Sequence, residues 1–410
     1  MDSEEHQKGS VTYNDRITDL PDDLKCNILA HLPLKEMVET SLLSRMWRYT
    51  WASIPNLVFN ERNFMSIREL VRFVDMVLLL HQGPIFQFNI CCLNFTHVPM
   101  ERWMLVLSRN EIEEITIKSS LTYRWRICSC FFSIQSLKKV YLKYCTLILP
   151  HVFCGVKHLQ TLHLNGCTIS DDDFEKLVSH CPLLENLYLQ GMCDMVVKVN
   201  SPNLKLIKIK HGIWVKYIHL IAPSLIEANL SLLFTSNGKY GHEKCMIDVF
   251  GSLSKVETLR LGGAFIRYLL LRGCNLELPL KFEHLKELSI ELAVHNQNEA
   301  YVTFFLLQNA PNVQYLSILN RPQGPDNLMP IGNLRNLNMQ KIAFEHLKFV
   351  LIDYSGSVTE SGLLLVKLLL SAAPLLEKVH IKNYEKDFEF VKKLVSFKRA
   401  SKEAEVILFD

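Results

Sequence analysis

Leu159-Gln160-Thr161-Leu162-His163-Leu164-Asn165 sets apolar side chains at its first, fourth and sixth positions and leaves the others polar or small. In an extended strand successive side chains point to opposite faces, so Leu162 and Leu164 share one face and His163 and Asn165 the other. The same spacing returns as Leu137-Val140-Leu142, Leu184-Leu187-Leu189, Leu204-Ile207-Ile209, Val256-Leu259-Leu261, Leu285-Leu288-Ile290, Val313-Leu316-Ile318, Leu347-Val350-Ile352 and Leu376-Val379-Ile381. Weaker copies are Ile112-Ile115-Ile117 and Leu225-Ala228-Leu230. Successive starts lie roughly 20 to 34 residues apart. Phe282-Glu283-His284-Leu285-Lys286 even recurs intact as Phe344-Glu345-His346-Leu347-Lys348.

A unit of this length cannot bury its apolar face alone, and stacking units buries those faces in one continuous core. The spacing is that of leucine-rich repeats, so the fold expected is an α/β leucine-rich-repeat solenoid, a horseshoe with strands on its inner side and helical returns. Among the returns, Asp171-Asp172-Asp173-Phe174-Glu175-Lys176-Leu177-Val178 follows Ser170, an N-cap residue, and turns Phe174, Leu177 and Val178 inward. Cys145 and Cys167 fall just past their strands, where this repeat class uses Asn or Cys to satisfy the turn backbone.

Ahead of the repeats, residues 14–60 carry a different pattern. Pro21 is placed to open a helix with Leu24, Ile28, Leu29 and Leu32 along it, and Pro33 ends it. A turn through Glu36, Met37 and Val38 leads to a third helix with Leu43, Trp47, Thr50 and Trp51 on one face, stopped by Pro55. Residues 1–13 read as a disordered tail and 61–343 as the solenoid. Residues 344–410 read as its end, where Phe388, Val391, Leu394 and Val395 make a last amphipathic helix that covers the open core.

Composition removes several functions. Apolar residues make up 49% of the 410 and charged residues 21%, which suits a folded chain, and a formal charge of +3 predicts neither nucleic-acid nor membrane binding. The first residues, Met1-Asp2-Ser3-Glu4-Glu5-His6, carry no secretory signal, so cytoplasm or nucleus is expected. The longest apolar runs, near Val77 to Leu80 and Leu363 to Leu370, fall short of the roughly 20 residues that span a bilayer. Neither Cys91-Cys92 nor Cys128-x-Cys130 has a second pair at zinc spacing, so the 12 cysteines read as structural thiols and no metal or cofactor is expected. No phosphate loop, dinucleotide fingerprint, zincin helix or nucleophile elbow is present, and His158, His163 and His180 stand alone within repeats. The chain reads as no enzyme.

The stretch Asp15-Arg16-Ile17-Thr18-Asp19-Leu20-Pro21-Asp22-Asp23-Leu24, with Ile28-Leu29, Leu32-Pro33 and Thr40-Ser41-Leu42-Leu43-Ser44-Arg45-Met46-Trp47-Arg48-Tyr49-Thr50-Trp51, resembles an F-box. Met37 and Met46 stand where smaller or basic residues are commoner. From Phe344, the run Leu347-Lys348-Phe349-Val350, Tyr354-Ser355-Gly356, Ala373-Pro374-Leu375-Leu376-Glu377-Lys378-Val379 and Arg399-Ala400-Ser401 is similar to the FBD domain of plant proteins that also carry an F-box and leucine-rich repeats. The resemblance implies the substrate receptor of a Skp-cullin-F-box ubiquitin ligase. On it, Leu20, Pro21, Ile28, Leu32, Pro33, Leu43 and Trp47 face a Skp-type adaptor, and through it cullin; the same side chains also suit the module's own core. A scaffold or ligand sensor with no part in ubiquitination is the competing expectation.

The target, a protein not identifiable from sequence, is expected on the inner face. Tyr141, Lys143, Tyr188, Lys208, Lys210 and Arg260 occupy outward strand positions in separate repeats, whereas Ser289, Glu291, Ser317 and Asp353 make the later strands neutral to acidic. Grouped cations and tyrosines suit an acidic protein segment or a small anionic co-ligand, although exposed lysines also serve simply as solvated surface.

Overall fold

The structure, a computed structural model, describes residues 20–192, 195–210, 214–231, 233–234, 249, 251–263, 265–266, 281–292, 297–320, 343–354, 360–383 and 388–409. The tail over residues 1–13, the start of the F-box-like segment and Ser355-Gly356 lie outside them.

The leucines decide the architecture. Among the described residues fourteen strands form one parallel sheet whose spatial order is the chain order. They are β1 (Asn56–Asn60), β2 (Gln87–Cys91), β3 (Glu114–Lys118), β4 (Lys139–Lys143), β5 (Thr161–Asn165), β6 (Asn186–Gln190) and β7 (Leu206–Lys210). There follow β8 (Glu227–Leu230), β9 (Thr258–Leu261), β10 (Glu287–Leu292), β11 (Tyr315–Asn320), β12 (Phe349–Tyr354), β13 (Lys378–Asn383) and β14 (Glu405–Phe409). Every repeat read from the sequence supplies one of β3 to β13. Their apolar positions, from Ile115 and Ile117 to Val379 and Ile381, are buried in one continuous core.

Strand register is set by a recurring backbone device. At the starts of β2 to β13 one carbonyl accepts two successive N–H groups of the next repeat: Lys138 O takes those of Gln160 and Thr161 at 2.8 and 2.9 Å, and Lys286 O those of Gln314 and Tyr315 at 2.8 and 3.0 Å. Leu162 then lies beside Val140 and Leu187, and His163 beside Tyr141 and Tyr188. A slip by one residue would turn every core leucine to solvent.

Three strands were not among the expected repeats. Ile54-Leu57-Phe59 and Ile85-Phe88-Ile90 obey the same spacing and give β1 and β2, so the helical module runs directly into the sheet. The Phe59 ring packs at 5.5 Å from that of Phe88 and 6.2 Å from that of Phe73, tying α3 (Ile67–Leu80) to both strands. β14 is the third, pairing with β13.

Two helical expectations are corrected. The module contains α1 (Asp22–Leu29), capped by Pro21, and α2 (Leu34–Glu39), capped by Pro33, but residues 40–53 form short 3-10 turns rather than a third helix. Leu43, Trp47 and Thr50 donate their N–H groups three residues back, to Thr40, Ser44 and Trp47. Ser, Thr and aromatic residues are weak helix formers, and the Thr50 hydroxyl competes by donating to Met46 O at 3.3 Å. The returns over residues 195–234 are strands too: Met195–Asn200, Trp214–Ile221 and Leu233–Phe234 make a second parallel sheet. Starts 20 and 21 residues apart leave β6 to β8 no room for a helix, and Val196, Val197 and Val199 favour extended backbone.

The helix of residues 171–178 is found as α5 (Asp171–Ser179), following α4 (Met100–Ser108), with the Ser170 hydroxyl accepting from Asp173 N and Phe174, Leu177 and Val178 buried. Its aspartates do more than cap: Asp171 and Asp173 accept the N–H groups of Val196 and Leu149 in neighbouring repeats. Gly155, at φ +84°, passes so close to His180 O that a Cβ would stand 1.9 Å from it. Beyond α6 (Gln297–Gln308) and α7 (Glu360–Ala372), α8 (Phe388–Ser396) buries Phe390 and Leu394, four residues apart, and exposes Val391 and Val395, which the sequence reading had turned inward. Cover at this end is partial, since Leu408, on the core face of β14, keeps 42% of its surface exposed.

Candidate functional site: an exposed helical face and a concave sheet

The N-terminal module spends its largest side chains in two ways. Leu29, Leu34, Met37, Trp47, Trp51 and Ile54 are buried, and the Trp51 Nε1–H donates to Arg48 O at 3.1 Å. Leu24, Ile28, Leu42, Leu43, Met46 and Tyr49 are exposed, Leu42 and Leu43 at 86% and 74%. Of the residues singled out for adaptor contact, Ile28 and Leu43 belong to this exposed set, and Pro21 and Pro33 stand exposed at the caps of α1 and α2. Leu20 and Leu32 are half-buried. Leu32 and Pro33 also line a cleft of about 730 Å³ shared with Val58 of β1. Trp47, 5% exposed, is a core residue of the module, because the 3-10 turns rotate it inward. Leu24, Leu42, Met46 and Tyr49, also exposed, were not singled out for adaptor contact; the available signal was an apolar count that three short helices cannot cover.

The other face belongs to the sheet. Parallel register places Tyr141, His163, Tyr188, Lys208, Asn229, Arg260, Ser289, Ser317, Leu351 and His380 in one row across β4 to β13. In its first half the rings of Tyr141 and His163 meet edge to face at 4.3 Å, and those of His163 and Tyr188 stack at 5.2 Å. Burial, then the charge of Lys210, holds the His163 imidazole below its ordinary pKa. The cations are not equivalent. Lys208 pairs with Glu227 at 2.7 Å and lies 6.0 Å over the Tyr188 ring, while Lys143 lies 5.1 Å over Tyr144. Lys210 is exposed, and Arg260 stands two strands further on, in a different surround. Thus Tyr141, Lys143, Tyr188, Lys208, Lys210 and Arg260, expected from sequence to face a target, share one sheet face without making a single cationic patch.

Arg260 instead borders a groove of about 460 Å³ across β9 to β13 that the sequence reading passed over. Its floor is the stacked pair Tyr315 and Phe349, with ring centroids 5.0 Å apart and planes 4° from parallel, beside Leu351. The signal was present in the position before each core residue, where Tyr315 and Phe349 are aligned by register.

A family model described as the F-box domain matches residues 17–59, and one described as "FBD-associated F-box protein At5g56370, LRR repeats" matches residues 100–318, more than half of the chain. The chain belongs to this F-box/FBD/LRR-repeat family. F-box/FBD/LRR-repeat protein At1g13570 of Arabidopsis thaliana is 29% identical over 96% of this chain and 98% of its own length. Another Arabidopsis thaliana relative, F-box/FBD/LRR-repeat protein At5g56420, is 32% identical over 48% of this chain and 49% of its own length. A leucine-rich repeat-containing protein of Legionella pneumophila, LegL7, overlaps 88% of this chain and 93% of its own at 11% identity and a TM-score of 0.29, too loose a match to carry an argument.

In this F-box/FBD/LRR-repeat chain the described side chains suit binding. Burial pushes the thiols of Cys92 and Cys181 up to about 12 and about 11, leaving them protonated and poorly nucleophilic near neutrality. The Cys145 and Cys167 thiols donate to the carbonyls of Lys143 and Leu142 at 3.5 and 3.3 Å, which is turn structure. Among the described residues no group of three His, Cys, Asp or Glu could hold a metal ion, and no helix is long and apolar enough to cross a membrane.

Proposed function

We propose that this chain is the substrate-recognition subunit of a Skp-cullin-F-box ubiquitin ligase, acting in the cytoplasm or nucleus. Its F-box docks on a Skp-type adaptor, its concave sheet holds the target, and the covalent ubiquitin chemistry belongs to other subunits. The observation that carries the reading is the exposed set Leu24, Ile28, Leu42, Leu43, Met46 and Tyr49 on one small module. Apolar side chains crowded on a small surface mark a protein contact, and each one buried there contributes roughly 1.5–3 kcal/mol. Pro21 and Pro33, exposed at the helix caps, extend that surface with rigid backbone.

The test is co-purification of the full chain with a Skp-type adaptor and cullin. The wild type retains both, and the double variant Leu43→Asp/Met46→Asp loses both while its melting temperature stays within a few degrees, because exposed substitutions change stability by only about 0.5 kcal/mol each. Retention of the adaptor by that variant, or failure of the wild type to bind it, would sink the proposal.

A further inference from the structure

We infer that the groove across β9 to β13 is the target-reading site, and that its occupant is an extended segment of the target protein with a carboxylate at each end and large apolar side chains between. This rests on the receptor reading above for its biological role, but its chemistry follows from the groove. Tyr315, 46% exposed, and Phe349 present a flat aromatic floor, and Leu351 adds an exposed aliphatic wall. Water is poorly held on such a surface, so burying it against apolar side chains is favourable.

Each end of the groove carries a cation. Arg260 extends from β9 and Lys378 from β13, where His380 lies two residues further along the strand. Arg260 and Lys378 are exposed, and among the described residues neither forms an ion pair, unlike Lys208 in the first half of the sheet. Four strand spacings separate them, about 19 Å at about 4.8 Å each. A single planar aromatic acid cannot reach both. An extended peptide of about six residues can, at about 3.3 Å per residue. Glu287, on β10 one strand inside Arg260, repels a carboxylate set too far inward and so fixes where the peptide's acid must lie.

The test uses the full chain copurified with a Skp-type adaptor and a fluorescein-labelled hexapeptide with Asp at both ends and Trp and Leu in the middle. Fluorescence anisotropy compares it with the same peptide ended by Lys and with one in which Ser replaces Trp and Leu. The acid-ended apolar peptide binds at least about tenfold tighter than either, Arg260→Glu/Lys378→Glu reverses the preference for end charge, and Tyr315→Ala weakens binding about tenfold. Equal binding of the three peptides, no binding at about 1 mM, or unchanged preference in the charge-reversed variant would each overturn the inference. Adaptor retention is scored on the same sample: its loss from the wild type counts against the receptor reading, whereas a peptide result is independent of it.

Discussion

At the scale of single residues, His163 shows how stacking alters chemistry without making a catalyst. It stands between the rings of Tyr141 and Tyr188, and burial with the nearby charge of Lys210 disfavours its imidazolium. Its folded pKa therefore lies below the ordinary 6.5, so the stability this histidine contributes is fully present above pH 6.5 and is lost as pH falls through the folded value. The expected result is a melting temperature that drops between pH 7 and pH 5 and a shallower drop in His163→Gln; equal slopes in the two proteins would refute it. Lys210→Ala removes the repulsive charge and should move the imidazole titration, followed by NMR, upward.

At the scale of elements, the sequence announced its strands more clearly than its turns. A two-residue alternation ending at Leu142, Leu164 or Ile318 is a local statement, and each became a strand with the expected face buried. Ile54-Leu57-Phe59 carried the same statement but was masked by its place at the end of a helical motif. Glu403 stands where β14 should have its first apolar residue, which hid that strand. The segment from Thr40 to Ser53 was harder, because i→i+3 turns and α-helix place similar residues at similar spacings, and only tertiary packing chose which side Trp47 faced. The groove was only half legible, for another reason: Tyr315 and Phe349 hold the same place in their repeats, but the two rings are 34 residues apart in the chain and meet only through register between β11 and β12. Placing Trp47 in the core sets its expected behaviour apart from that of Leu43. Trp47→Ala should cost about 3–5 kcal/mol in denaturant unfolding, as core truncations do. A loss under about 1 kcal/mol would return Trp47 to the exposed face.

At the scale of the whole molecule, the F-box is also the first layer of the solenoid. β1 pairs with β2, and Leu57 and Phe59 lie in the same core as Phe88 and Ile90. A fragment of residues 1–60 would leave those side chains and Trp51 in water, and the remainder of the chain would gain a bare strand edge. Neither half should therefore match the parent: residues 1–60 should show no cooperative melt by circular dichroism, and residues 61–410 should elute as aggregate in size exclusion. A monomeric second half that melts at the parent temperature would show the module to be separable. The order of the sheet also bears on how the protein is made. Because strands neighbour in space as they follow in the chain, each one leaving the ribosome finds the edge it needs already laid down. At about 5–20 residues per second, the first layers have tens of seconds to consolidate before β14 is synthesised. The nascent chain can thus own a finished F-box while the far end of the aromatic groove is still inside the tunnel.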